Sequence, residues 1–160
     1  MTETMHILRP STPRRVMGLA IQLILGALLL WLAVMHPPAN VLWQLFLIAI
    51  GVAALALGQR GWRGSAVAIA LRDDGLFQED GTPIAPLDNI ASVDRALFSF
   101  KPSNGFLIRL REPAGRAWVP GMWWRVGRRV GIGGVTGGAD TKIVADALSF
   151  MVAARDGPPR

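Results

Sequence analysis

Two uncharged stretches determine the architecture of this chain: VMGLAIQLILGALLLWLAVM at Val16–Met35 and VLWQLFLIAIGVAALALG at Val41–Gly58. A helix needs roughly 20 apolar residues to cross the hydrocarbon layer of a bilayer. The connector HPPAN (residues 36–40) is so short that two helices joined by it must lie antiparallel. The sequence therefore predicts two transmembrane helices, at about 16–35 and 41–58, that form a hairpin over residues 16–58.

The same two stretches are compatible with two alternatives. They could be core helices of a soluble domain, but a chain of 160 residues has little room to bury two helices that are apolar on all sides. The first could be a cleaved signal peptide behind Arg14 and Arg15. However, its apolar run exceeds the usual run of roughly 7–15 residues, and HPPA is a poor cleavage site. We therefore expect both helices to remain in the membrane.

Positive charge is concentrated on one side of the predicted hairpin, in a chain whose net charge is +6. Three arginines precede the first helix, three follow the second, and the connector has no Lys or Arg. These arginines are Arg9, Arg14, Arg15, Arg60, Arg63 and Arg72. The positive-inside rule then places both chain ends in the cytoplasm. We expect a multi-pass protein of the bacterial inner membrane, with residues 1–15 as a basic cytoplasmic N-terminus.

Polar and small residues within the hairpin indicate how it contacts other helices. An amide inside lipid bonds either a partner helix or its own backbone and neighbours, and small residues permit close helix packing. One prediction is contact with another membrane protein or with a second copy of the chain through Gln22, Gln44, Ala49 and Ala53. The alternative is that both amides are satisfied within the hairpin.

Residues 59–160 alternate between short apolar runs and turns rich in Gly, Pro, Asn and Asp, which is typical of antiparallel strands. Turns are expected at Pro102–Gly105 and Glu112–Gly115, and helical spacing of apolar residues predicts a C-terminal helix at about 140–154. The expected strands are Ala66–Leu71, Leu76–Gln78, Ile90–Val93, Ala96–Lys101, Phe106–Arg111, Arg116–Val119 and Met122–Val126. The predicted fold is α+β, a small antiparallel sheet or barrel closed by an amphipathic helix.

This order of elements resembles bacterial pleckstrin-homology-like domain membrane proteins, in which a two-helix hairpin precedes a β-rich cytoplasmic domain. The resemblance covers roughly residues 65–154 and is carried by LRDDGL at 71–76, by the segment Ile84–Val93 with PLDNI at 86–90, and by the terminal helix. The glycine-rich stretch Gly127–Gly138 departs from it. The resemblance implies a PH-like cytoplasmic domain over residues 59–160 that binds and scaffolds rather than catalyses.

Tryptophan and arginine are concentrated in Gly115–Arg129, and no acidic residue occurs from Pro113 to Ala139. Arginine holds phosphate oxygens with a planar fork, and tryptophan settles at the level of lipid headgroups. We predict a surface that contacts anionic lipid headgroups, formed by Arg116, Trp118, Trp123, Trp124, Arg125, Arg128 and Arg129. The alternative is that the tryptophans are core residues and the arginines are only solvated. Nucleic acid is not expected as a partner, because the hairpin holds the domain at the bilayer.

Other kinds of site have less support. The run GIGGVTGG before the last helix has Ala139 where a phosphate loop has lysine. The chain has no cysteine, and its two histidines, His6 and His36, lie outside residues 59–160, so a serine nucleophile there lacks a histidine base. We expect a non-enzymatic, membrane-anchored binding or scaffolding protein without metal or cofactor. The alternative functions are an accessory subunit that docks through the hairpin and a small lipid-modifying enzyme.

Overall fold

The computed structural model of the protein describes residues 4–94 and 105–157. It separates into a helical unit, Thr12–Arg63, and a β-rich unit formed by Met1–Ser11 together with Gly64–Arg160. The predicted strand Ala96–Lys101 and all but the last residue of the predicted turn Pro102–Gly105 lie outside the described residues. The fold is α+β, with two long apolar helices, two antiparallel sheets and a C-terminal helix.

The helical unit contains α1 (Thr12–Met35) and all of α2 (Val41–Gly64) except its last residue, Gly64, which belongs to the β-rich unit; each helix has 24 residues. Both helices are long and apolar enough to cross a membrane, and little of either is buried within the structure. Each extends further at its basic end than predicted, because arginines in a terminal turn can direct their charged groups to water while the backbone stays helical. The predicted limits therefore mark the change in hydropathy rather than the ends of the helices.

Small residues form the contact between α1 and α2. Gly26 and Ala33 of α1 are buried, as are Gly51, Ala54 and Gly58 of α2. A Cβ added to Gly26 would lie 2.6 Å from the Leu55 side chain and 3.0 Å from the carbonyl oxygen of Gly51. The two backbones can approach this closely only because glycine has no side chain.

The described part of the β-rich unit contains seven strands, one α-helix and a short 3-10 helix at Leu87–Asn89. The first sheet has the order β1-β2-β3-β4 and the second the order β5-β6-β7, and every pairing is antiparallel. The strands are β1 (Thr4–Leu8), β2 (Ile69–Arg72), β3 (Gly75–Gln78), β4 (Pro83–Pro86), β5 (Ile90–Asp94), β6 (Phe106–Val119) and β7 (Trp123–Ile132). Within residues 4–94 and 105–157 these strands form two sheets and not a closed barrel.

The N-terminal segment belongs to the β-rich unit, although residues 1–15 were expected only as a basic extension. β1 pairs with β2, with Leu8 opposite Ile69 and Ile7 opposite Ala70, and Leu8 is completely buried. Pairing satisfies backbone groups of β2 that would otherwise form an open edge of the sheet. The sequence expectation that no histidine lies in the domain is therefore wrong, because His6 lies within β1.

The predicted turn Glu112–Gly115 is also absent as a turn, because these residues lie inside the 14-residue strand β6. Pairing between β6 and β7 passes from Arg109 opposite Arg129 to Ala114 opposite Gly127, so β6 carries additional residues there. Such a bulge bends a strand without ending it.

The C-terminal helix α3 (Gly138–Asp156) contacts β1, β5 and β6 and completes the core. Its buried residues are Thr141, Val144, Ala145, Leu148 and Val152. The helix begins two residues before the predicted Asp140, with Gly137 as the capping residue and no side-chain cap. The hydroxyl of Thr141, which is buried, does not cap the helix but donates to the carbonyl oxygen of Gly137 at 2.7 Å.

Candidate functional site

The seven predicted surface residues lie on one β-hairpin. β6 and β7 continue beyond the bulge as an arm, residues 114–127, in which Ala117 pairs with Arg125, Trp118 with Trp124, and Val119 with Trp123. Gly127 ends the arm in the left-handed region, at φ +58°, which glycine adopts without strain. Five of the seven residues are in the arm, and Arg128 and Arg129 follow it directly.

Two of the seven residues are engaged inside the domain. Trp123 is 3% exposed and belongs to the core. Arg125 donates to the carbonyl oxygens of Gly115 at 2.7 Å, Ile84 at 2.9 Å and Pro83 at 3.1 Å. These bonds fasten the arm to β4, so Trp123 and Arg125 hold the arm in place and are not free to meet a ligand.

The remaining residues are at the surface to different degrees. Trp118 is 59% exposed, and Arg116, Arg128 and Arg129 are exposed as well. Trp124 lies opposite Trp118 and therefore on the same face, but it is half-buried. Its indole covers Gly131, where an added Cβ would lie 2.4 Å from the indole nitrogen. The arm thus presents one prominent tryptophan among exposed arginines.

The sequence prediction missed one basic residue of this surface, Arg109. Arg109 on β6 lies directly opposite Arg129 on β7, and Ser92 on β5 lies opposite Arg109 from the other side. All three are exposed on the outer face of the second sheet. The alternation of Phe106–Arg111 indicated that Arg109 faces away from the core, but its position beside Arg129 depends on the bulge.

The glycine-rich stretch is a tight connection rather than an open loop. The amides of Gly133 and Val135 donate to the carbonyls of Met122 and Gly121 at 2.9 and 2.8 Å, respectively. The carbonyl of Val135 accepts the amide of Ser11 at 2.8 Å. Two of the loop amides that would have to cradle a phosphate are therefore already bonded to carbonyl oxygens.

We call a group of five residues in contact with one another along this connection the collar: Ser11, Gly64, Val119, Gly121 and Val135. A Cβ added to Gly64 would lie 2.7 Å from Cγ1 of Val119, so the tip of the arm packs against Gly64. In the sequence, Ser11 directly precedes the helical unit and Gly64 directly follows it. The collar therefore joins the arm, the glycine loop and both entry points of the chain.

The residues predicted to contact a partner helix are divided by the structure. The Gln44 side-chain amide donates to the carbonyl of Ala33 at 3.0 Å, and Gln22 is half-buried against Gly58. Ala49 and Ala53 are exposed on α2. Gln44 thus satisfies a backbone group inside the hairpin, while the two alanines remain on the outer surface.

Among the described residues, no group of three or more His, Cys, Asp and Glu could hold a metal ion. The acidic residues around Gly81 lie in a turn, where Asp80 accepts the amide of Thr82 at 2.9 Å. Comparisons of the chain with protein-family models, with curated proteins and with solved structures find no match.

Proposed function

We propose that the protein is a membrane-anchored, non-enzymatic binding or scaffolding protein. In this proposal the hairpin crosses the bacterial inner membrane twice, and both chain ends are cytoplasmic. The β-rich unit is a PH-like cytoplasmic domain whose arm contacts anionic lipid headgroups. The observation that carries the proposal is the pairing of β1 with β2, on either side of the hairpin in the sequence.

The pairing restricts the topology of the hairpin. Leu8 and Ile69 are neighbours in one sheet, and the whole helical unit lies between them in sequence. A chain that leaves a sheet, crosses lipid and returns to the same sheet must cross an even number of times. Two helices of spanning length fit this requirement, and the arginines at their sheet-side ends favour the cytoplasm as that side.

The tryptophans of α2 support the same placement. Trp43 and Trp62 are both exposed and lie 19 positions apart, which corresponds to roughly 28 Å along a helix. That separation matches the thickness of the hydrocarbon layer, about 30 Å, with one indole at each interface. Arg15 makes a cation–π contact at the basic end of the hairpin, where its guanidinium carbon lies 4.5 Å from the ring centroid of Trp62.

In this proposal the arm is the part of the β-rich unit that contacts the membrane. Val119 packs against Gly64, which directly follows the helical unit, and Trp118 is its neighbour in sequence. An exposed tryptophan among arginines has the chemistry of an interfacial residue. Arg116 and Arg128, both exposed, supply positive charge for anionic headgroups.

The topology is testable because the chain has no cysteine, so that single cysteines can be introduced cleanly. Ala39→Cys lies in the connector and Lys142→Cys lies on the exposed side of α3. A membrane-impermeant maleimide added to intact spheroplasts should label the first variant and not the second. Labelling of Lys142→Cys but not of Ala39→Cys would overturn the proposed topology. Release of the protein from the membrane by alkaline extraction, with neither variant labelled, would overturn the membrane anchor.

The headgroup contact needs a separate experiment. Full-length Trp118→Cys carries a spin label in phosphatidylcholine bilayers with or without phosphatidylglycerol, and Lys142→Cys is the control. We expect phosphatidylglycerol to protect the label at 118 from a water-soluble relaxation agent, and salt to weaken this protection. Equal accessibility of the two labels in both lipids would contradict the contact.

The second candidate function is an accessory subunit that docks through α2. One observation favours it, namely an apolar groove on the surface of α2 lined by Leu42, Trp43, Leu45, Phe46 and Ala49. Cross-linking from Ala53→Cys in membranes, with Gly18→Cys on α1 as the control, would distinguish a specific neighbour from lipid. Recovery of monomer from both variants would count against this candidate.

A further inference from the structure

We infer that Arg109, Arg129 and Ser92 form a binding site for the dianion of a phosphomonoester. This site lies on the outer face of the second sheet and does not depend on the proposed contact between the arm and the membrane. Its essential feature is a pair of like charges at directly opposed positions on neighbouring strands. Like charges directly opposite each other destabilise a sheet, and an anion bound between them would offset the repulsion.

The two arginines lack partners that would explain their position. Within residues 4–94 and 105–157, no hydrogen bond or ion pair involves the side chain of Arg109 or Arg129. Two other arginines of this unit are engaged: Arg111 bonds Asp156 at 2.7 Å, and Arg125 bonds three carbonyls. Exposed arginines elsewhere in the unit, such as Arg116 and Arg128, also make no side-chain hydrogen bond to the described residues, so what distinguishes Arg109 and Arg129 is their directly opposed position.

The chemistry of the three side chains fits a phosphate with two negative charges. Each guanidinium can donate two parallel hydrogen bonds to a pair of phosphate oxygens, and side chains at directly opposed positions are about 5 Å apart at Cβ. Ser92, opposite Arg109 on β5, places a hydroxyl donor in the same row. Two positive charges match a dianionic phosphomonoester better than a phosphodiester, which has one negative charge.

The surroundings limit the site on one side. Trp124 covers Gly131 in the adjacent row and forms an apolar wall. Asp94 lies in that row on the same face, opposite Leu107; it is half-buried and has an interaction of its own. With the one negative charge of Asp94 against two arginines, the site stays positive overall. The carboxylate of Asp94 repels the part of an anionic ligand that extends toward it.

The experiment uses full-length protein in nanodiscs of phosphatidylcholine. Glycerol 3-phosphate is the soluble probe, glycerophosphocholine is the phosphodiester control, and phosphatidic acid or phosphatidylglycerol is incorporated in a parallel arm. The test variant is Arg109→Gln/Arg129→Gln. The control variant is Arg9→Gln/Lys142→Gln, which removes the same net charge from two other exposed residues.

We expect glycerol 3-phosphate to bind saturably and to raise the unfolding temperature, and glycerophosphocholine to do neither. The Arg109→Gln/Arg129→Gln variant should bind at least ten-fold more weakly, since each lost charge-assisted hydrogen bond is worth roughly a ten-fold change or more. The control variant should stay within about two-fold of the wild type, because distant surface charge contributes little. Circular dichroism verifies that both variants are folded.

Three results would overturn the inference: equal weakening by the two variants, equal binding of the phosphodiester, or no saturable binding of either probe. Preference for phosphatidic acid over phosphatidylglycerol would identify a lipid headgroup as the source of the phosphate. Binding of the soluble probe without that preference would identify a free phosphomonoester. Protection of a label at residue 118 by phosphatidylglycerol should survive in Arg109→Gln/Arg129→Gln, so failure of this site and failure of the proposed function are distinguishable.

Discussion

The backbone of Gly134 lies directly against the carbonyl oxygen of Gly121: a Cβ added to Gly134 would be 2.4 Å from that oxygen. The contact fixes the glycine loop to the turn between β6 and β7. Gly134 also has φ +93°, a conformation that side chains disfavour. Both the space and the backbone conformation therefore require glycine at this position.

Gly134→Ala should destabilise the β-rich unit, and Gly81→Ala provides a matched control. Gly81 has nearly the same backbone conformation, φ +92°, but open space where the Cβ would be. We expect Gly81→Ala to cost about 1 kcal/mol from backbone strain and Gly134→Ala to cost more. Denaturant unfolding of the two variants measures the difference, and equal costs would show that the contact with Gly121 is unimportant.

Leu8→Ala tests whether β1 is an integral strand of the domain. Leu8 is fully buried in the core, whereas Met5 on the same strand is 59% exposed. Removal of a buried leucine side chain costs about 2–5 kcal/mol, and Met5→Ala should change stability by less than about 0.5 kcal/mol. If the unfolding midpoints of the two variants agreed, the N-terminal segment would not be part of the sheet.

Gly26→Val should separate the two helices, because the contact between α1 and α2 has no room for a side chain at this position. Gly18→Val is the control, since a Cβ at Gly18 meets nothing within 4 Å. Overpacking costs about 1–3 kcal/mol, which unfolding of the hairpin by SDS in mixed micelles can resolve. The close packing of α1 on α2 would be refuted by two variants with the same transition.

Arg125→Gln should loosen the arm, because it removes guanidinium hydrogen bonds to the carbonyls of Gly115, Ile84 and Pro83. We expect a loss of about 1–3 kcal/mol, since three hydrogen bonds from a charged donor are removed, one of them partly buried. Arg128→Gln, at an exposed residue that directly follows the arm, should be nearly neutral. Amide hydrogen exchange around residues 115–125 should accelerate only in Arg125→Gln.

Asp156 gives the unfolding a pH dependence at acid pH. Its pKa is lowered from the ordinary 3.8, first by the hydrogen bond from Arg155 and also by Arg111. A carboxyl group with a lowered folded-state pKa stabilises the fold above its ordinary pKa, and this stabilisation is lost as the pH falls through the lowered value. Asp156→Asn should therefore unfold at lower urea than the wild type at pH 7, with the difference shrinking below pH 3.8. A difference independent of pH would contradict an ionic role.

The helices could be predicted because hydropathy is a local property of the sequence. Val16–Met35 and Val41–Gly58 lie inside the observed helices, which continue for a few residues through their arginine-bearing ends. The β1 strand could not be predicted in the same way. Its assignment depends on Ile69, a partner far along the chain, and five residues of mixed polarity give no periodic signal.

The grouping of the seven arginines and tryptophans on one hairpin could be predicted, since they are close together in the sequence, whereas their contact with headgroups stays a prediction. Their individual roles depended on the pleat and on the bulge. Trp123 and Trp124 are adjacent and therefore point to opposite faces, which separates the core residue from the surface residue. The pairing of Arg109 with Arg129 follows from additional residues in β6, which composition does not reveal.

The pairing of Leu8 with Ile69 also has a consequence for biosynthesis. A ribosome completes the first strand 61 residues before it reaches the partner position, which at 5–20 residues per second corresponds to roughly 3–12 s. During this interval β1 of the nascent chain remains unpaired while both apolar helices are synthesised. Completion of the first sheet therefore depends on how fast the hairpin is translated, and a ribosomal pause within the hairpin would delay the pairing of β1 with β2.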